Sequence, residues 1–295
     1  MNIFKASFFF ILLSSTFSNK LPAQDSVKIF NYLGKKINTV VEYRNVTIDS
    51  IGKRNRGMDS LINNNQKVQW ETLLKINEKK LIVANRTLKR MQVGYLDQSN
   101  YFFDSQNPVK LSGFLSVINE IYNGLTDKDF KEIVPISKQQ SKGAGNFINR
   151  PNLYNISPYD TANYISNIFL FQNIPKYCNE NDKWGDTLIT EKSVLLNFFT
   201  IRSKSKNNLT LFFKSSMVAL NRKHDNQSAR DNHTTRINVF ENSTITEGFM
   251  DVDPNTHLIY SIRAATTRKI ESKINESIKR NATIISKFTL YNSIE

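Results

Sequence analysis

Through its most informative stretches the chain alternates apolar and polar residues one for one, and that period of two admits strands and excludes amphipathic helices as the main building element. Val68, Trp70 and Leu74 share one face, while Gln69, Glu71 and Lys75 take the other. Residues 77–80 (Asn-Glu-Lys-Lys) turn the chain, 81–87 return, and Met91, Val93 and Tyr95 then alternate with Gln92 and Gly94. The pattern predicts an antiparallel meander buried on one face. The last third repeats it, with an apolar strand over 194–201, a polar turn over 203–208 and a return over 209–220. The clearest hairpin spans 248–264. Its turn is Asp253-Pro254-Asn255-Thr256, where Pro254 presets φ and the Asp253 carboxylate can accept from the turn amides. The return strand is expected to bury Leu258, Tyr260, Ile262 and Ala264 together, and Ala282, Ile284, Phe288 and Leu290 predict a last strand in the same sheet.

Two stretches break the alternation. Residues 136–156, with Gly143, Gly145 and Pro151, read as an exposed loop, and 221–236 as a polar loop between strands. Ser157-Pro158 then opens a segment to Gln172 with the marks of a short capped helix, Pro158 at its first position. Trp70 and Trp184 stand near the starts of two similar stretches. The expected fold is mainly β with minor α: two antiparallel β-rich halves, residues 25–150 and 151–295, half-barrel or sandwich-like, with a short helix between them.

Residues 1–24 stand apart. Lys5, the apolar run 8–13 and the end Leu21-Pro22-Ala23-Gln24 have the form of a secretory signal peptide. That run is too short to span a bilayer, which takes about 20 residues, and no later stretch is longer. The protein is therefore expected to be exported, to the periplasm, outer surface or extracellular space, with no transmembrane segment. Its one cysteine, Cys178, can form no internal disulfide, so packing alone must hold the fold. A lipid-anchored protein would carry that cysteine directly after the signal, where Gln24-Asp25 stand. The formal charge of +14 becomes +12 once Lys5 and Lys20 leave with the signal. In an exported protein such a balance suits an anionic envelope surface rather than nucleic acid. Scattered Lys and Arg also serve simply to solvate strand edges and block edge-to-edge pairing.

Candidates for chemistry are few. His224 and His233 share the polar loop 221–236 and match no zinc spacing, while His257 closes the 253–256 turn. Glu247 and Asp251 fall on one face of a strand, with Asp253 nearby, as a carboxylate pair or Ca²⁺ site would require; the reading preferred is a solvated outer face opposite Met250 and Val252, with Asp253 forming the turn. Cys178 has no histidine near it in sequence and reads as a small buried hydrophobe. No phosphate loop, nucleophile elbow or zinc-protease motif is present. The sequence thus commits to no catalytic, cofactor-binding or metal residue. Aromatics are abundant, with 20 Phe, 11 Tyr and 2 Trp, and runs such as Tyr101-Phe102-Phe103, Phe198-Phe199 and Phe212-Phe213 place rings on both faces of a strand. One face then needs a cover: the segment near 157–172, or an apolar ligand.

Three motifs carry a resemblance. They are Val109-Lys110-Leu111-Ser112-Gly113-Phe114 running to Gly124, Phe171-Gln172-Asn173-Ile174-Pro175 followed by Lys183-Trp184-Gly185-Asp186-Thr187, and the strand, Asp-containing turn and return of 248–262. With them the chain resembles a family of exported bacterial proteins of unknown function, built from two β-rich halves and distantly similar to half-barrel lipoprotein carriers. Trp184 precedes Gly185-Asp186 here instead of following it, and 126–160 is irregular. The resemblance implies an envelope protein and supplies no catalytic residue. Together these readings point to a non-catalytic exported protein binding a lipid, another apolar or amphipathic ligand, or an envelope partner. The alternatives are a hydrolase of envelope polymer working through Glu247 and Asp251, and a basic surface or adhesion protein.

Overall fold

A computed structural model describes residues 29–49, 64–96, 100–134, 156–162, 164–170, 174, 178–189, 193–219, 237–274 and 278–295. The strands are β1 (Lys36–Asp49), β2 (Asn64–Ile76), β3 (Ile82–Tyr95), β4 (Tyr101–Asp104), β5 (Asp129–Ile133), β6 (Lys183–Ile189), β7 (Ser193–Lys204), β8 (Leu209–Ala219), β9 (Ile237–Val252), β10 (Ile259–Ile274) and β11 (Ile278–Ile294). One helix, α1 (Ser116–Leu125), lies between β4 and β5.

Mainly β is the observed class, and all eleven strands belong to one antiparallel sheet ordered β4-β3-β2-β1-β11-β10-β9-β8-β7-β6, with β5 also on β3. The sheet stays open, ending at β4 and β5 on one side and at β6 on the other. Strands from the first and last parts of the chain meet in the middle, where β1 pairs with β11 from Ile37↔Ile294 to Asp49↔Ala282. The expected division at 150/151 falls between β5 and β6, outside the described residues.

Inward and outward residues alternate as the period of two requires, and each bulge shifts the parity. In β3, Lys89 is the extra residue between Leu88, opposite Trp70, and Arg90, opposite Gln69. The shift lets Leu88, Met91 and Val93 face the same way. A second irregularity, between Ile259 and Ser261, corrects the expectation for the return strand. Leu258 and Ile259 are both buried, Ile262 follows the inner face, and Tyr260 is left outside at the bulge. The turn before it forms as expected: the Asn255 amide donates to Asp253 Oδ1 at 2.8 Å, and the Thr256 hydroxyl to Oδ2 at 2.8 Å.

Helix placement also differs from expectation. The described residues of 157–172 form a turn at Pro158-Tyr159, a 3-10 turn (Tyr164–Asn167) and an isolated bridge from Phe169 to Leu258. The segment runs across the sheet's inner face, and besides local bonds such as Phe169 N–H to the Ile165 carbonyl at 2.9 Å its amides reach neighbouring strands and turns: Ile165 N–H to Glu132 Oε2 at 3.1 Å, Leu170 N–H to the His257 carbonyl at 2.8 Å. The α-helix instead occupies Ser116–Leu125, beginning just after the Val109–Phe114 motif. Its stripe of Ile118, Ile121, Tyr122 and Leu125, at helical spacing, packs with Val68, Trp70, Met91, Val93 and Phe103.

Candidate functional site

Among the described residues the inner face gathers the most buried side chains, and its register resolves into rows that cross the strands. A floor of Ile201, Leu211, Met250, Ile262, Leu290 and Val41 runs through directly opposed partners from β7 to β1. All six are buried. Two residues along, the next row is aromatic, with Trp184, Phe199 and Phe213 on one side, Phe288 and Tyr43 on the other, and Gly248 and Ala264 between. Trp184 stacks on Phe199 with centroids 5.4 Å apart. A Cβ on Gly248 would stand 2.2 Å from the Arg263 carbonyl oxygen and 2.4 Å from the Ala264 Cβ, so only glycine permits this close approach of β9 to β10.

Beyond the aromatics the chemistry changes. Asn197, Ser215, Thr246, Thr266, Ser286, Asn45 and Asn64 are consecutive cross-strand partners from β7 to β2, and each is polar and uncharged. Six of the seven are buried, Asn45 only partly. Thr246 and Thr266 share a hydroxyl hydrogen bond at 2.8 Å, and Ser286 Oγ donates to Asn45 Oδ1 at 2.8 Å.

The segment 156–178 covers the floor, as one of the two sequence alternatives held. Ile156, Leu170, Ile174 and Cys178 join the floor residues in one cluster, while Tyr164, Ile165, Ile168 and Phe169 pack with Ile37, Leu74 and Ile82. Polar anchors fasten it. Trp70 Nε1 donates to the Pro158 carbonyl at 3.0 Å, Asn292 Nδ2 to the Asn167 carbonyl at 3.0 Å, and the Tyr164 hydroxyl lies 2.5 Å from the Ala84 carbonyl and 2.9 Å from that of Phe130. Arg86 is 2% exposed; its guanidinium donates to the Asp160 carbonyl and sits 4.2 Å from the Trp70 ring and 4.9 Å from the Tyr164 ring. Burial pulls the Arg86 group down to about 10, opposed by Asp160, Tyr164 and Glu132. Burial also pushes the Glu132 carboxyl up to about 7 and raises Asp160. None of this cluster was singled out from the sequence. The available signal was parity: Arg86 stands between Ala84 and Leu88 at core-facing positions, where a charge requires partners.

The carboxylates named from sequence come apart. Glu247 and Asp251 lie on the outer face four residues apart along β9, about 13 Å by strand rise, beyond the roughly 5–9.5 Å of a glycosidase pair. Glu247 pairs with Lys214 at 3.6 Å, and Asp251 accepts from the Thr210 and Ser261 hydroxyls, both at 2.7 Å. Asp253 serves the turn. Cys178 is buried in the floor cluster, its sulfur 3.7 Å from Lys204 Nζ. The His257 Nδ1 lies 3.1 Å from the Leu170 carbonyl, while His224 and His233 fall outside the described residues. Among the described residues no three His, Cys, Asp or Glu side chains gather as metal ligands would, and no helix is long and apolar enough to cross a membrane.

No family model matches the chain, and no curated protein matches it. Among solved structures, a lipovitellin structure concerned with lipid–protein interactions is similar over 89% of this chain and 25% of its own, with 11% identity and a TM-score of 0.41. An outer membrane channel from Pseudomonas putida F1 aligns over 93% of this chain and all of its own, with 10% identity and a TM-score of 0.21. The chain thus spans a quarter of the lipovitellin length. Similarity at these scores carries no argument about function.

Proposed function

We propose that the protein is a non-catalytic, exported envelope protein that holds an apolar or amphipathic ligand against the inner face of its open sheet. One observation carries the reading: an unclosed eleven-stranded sheet gathers its buried apolar and aromatic residues on a single face, across strands from both ends of the chain. Lipovitellin is described by its lipid interactions, but the proposal rests on the sheet and not on that neighbour. A cover held by turns and single bonds, as its described residues 156–162 and 164–170 are, opens at lower cost than a paired strand, because few cooperative ladder bonds break. Outside the sheet, the +12 charge of the processed chain suits attraction to anionic envelope surfaces.

The test separates the two kinds of binding. Protein purified from its own host envelope should release a co-purifying amphipath in native mass spectrometry, and the stripped protein should take up a fluorescent fatty acid equally at 0.1 M and 1 M salt. Attraction to anionic vesicles should fade over that range, as the Debye length shrinks from about 10 to about 3 Å. Absence of both a bound amphipath and fatty-acid uptake overturns the ligand reading. Export predicts a mature N-terminus near Asp25; Met1 retained on envelope protein would contradict it.

A further inference from the structure

We infer that the polar row on the inner face is a headgroup site, and that the ligand it takes is an amphipath with an uncharged head rich in hydroxyl or amide groups. The inference rests on the carrier reading and names the ligand class for that face. Seven consecutive strands contribute Asn, Ser or Thr at the same transverse level, a line of six interstrand spacings, about 29 Å long. A core-facing row gains nothing from such residues if it only packs, since each hydroxyl or amide needs a hydrogen bond once out of water.

An independent observation points to a missing partner. Ser215 is 0% exposed, its register sets it in the row between Asn197 and Thr246, and its hydroxyl has no hydrogen-bond partner. Two more buried polar atoms lack partners one level away: Trp184 Nε1 at the β6 end of the aromatic row, and the Gln66 side-chain carbonyl beside Tyr43 at the β2 end. These orphans comprise both donors and an acceptor, the requirement that hydroxyl and amide groups meet because they donate and accept. Charge is disfavoured. None of the seven row positions from β7 to β2 is ionisable, Asp186 stands opposite Asn197 only at the β6 edge where the sheet ends, and Arg268, one level further on, already has a partner. A buried ionic head would therefore lie unpaired. The neighbouring aromatic row supplies apolar surface for the tail, and both rows lead toward β6, where the sheet ends.

Three probes with one twelve-carbon tail decide it: dodecyl glucoside, lauric acid and dodecyltrimethylammonium, each titrated below its micelle concentration into full-length protein, Ser215→Ala and Thr246→Val. We expect the glucoside to bind at least tenfold more tightly than either ion. Each substitution should weaken it by about tenfold, the equivalent of one hydrogen bond, while leaving lauric acid unchanged. Because the Ser215 hydroxyl is unpartnered, Ser215→Ala should melt no lower than the parent, so that a loss of affinity is not a loss of fold. Equal binding of all three probes, or glucoside affinity untouched by both substitutions, overturns the headgroup site and leaves the carrier reading standing. Failure of every probe to bind overturns the carrier reading itself.

Discussion

The two sides of the inner face are built from the same alternating strands and finished in opposite ways. On the β2–β3 side, a helix and the 156–170 segment fill the face, and the buried Arg86 is answered by two aromatic rings, a carbonyl and nearby carboxyls. On the β7–β11 side, the floor is covered, but the row beyond it leaves the Ser215 hydroxyl without a partner. Buried polar atoms without partners occur on both sides, Thr72 Oγ1 and Arg86 Nε among them on the β2–β3 side, so what sets the β7–β11 side apart is the unbroken polar row in which the Ser215 orphan stands.

The contrast breaks most sharply at Trp70. This residue is 1% exposed, meets Phe130 edge-on at 6.0 Å and donates to Pro158, so Trp70→Ala should cost about 3–5 kcal/mol in urea unfolding. A loss under about 1 kcal/mol would show that the β2–β3 side is not the closed one. Gly248→Ala comes next, at about 1–3 kcal/mol, since the new methyl lands on the Arg263 carbonyl and on Ala264. Thermal melting reads it directly, and an unchanged midpoint would mean that β9 and β10 part without cost.

Acidity tests the anchor of the covering segment. The Glu132 group titrates near 7 in the fold against 4.5 normally, so the folded state favours its protonated form. Its contribution is greatest below pH 4.5 and falls as pH rises through the window from 4.5 to about 7, because the unfolded chain ionises first; above that the slope vanishes. Asp160, also raised, adds to the same trend. Urea midpoints at pH 5 and pH 8 should differ in favour of pH 5, and Glu132→Gln should reduce the difference. A midpoint that rises with pH and ignores this substitution would exclude Glu132 as an anchor. The smallest effect belongs to Tyr260. Displaced outward by the bulge, it should cost under about 1 kcal/mol when changed to Ala, and a core-sized loss would restore the unbroken alternation that the sequence suggests.

Local chemistry was legible wherever neighbours in sequence are neighbours in space. The faces of Val68, Trp70 and Leu74, the turn at 253–256 and the antiparallel β class follow from alternation and a fixed proline φ, while the segment near 157–172 stood as one of two alternatives for covering an apolar face. The stripe at 118, 121, 122 and 125 has the spacing of a helix, a signal the alternation of the surrounding strands does not carry. Other features lay beyond any local pattern. One extra residue at Lys89 or near Tyr260 inverts a strand's inward set without changing its composition, so the faces beyond each bulge are decided by pairing. Glu247 and Asp251 share a face by parity, yet their separation along an extended strand denies them a common site. The join of β1 to β11, and with it the alignment of Asn45 with Ser286 and Asn64, depends on contacts more than 200 residues apart. Alternation determined that these side chains would lie on a face; interstrand register alone determined that they would form a line.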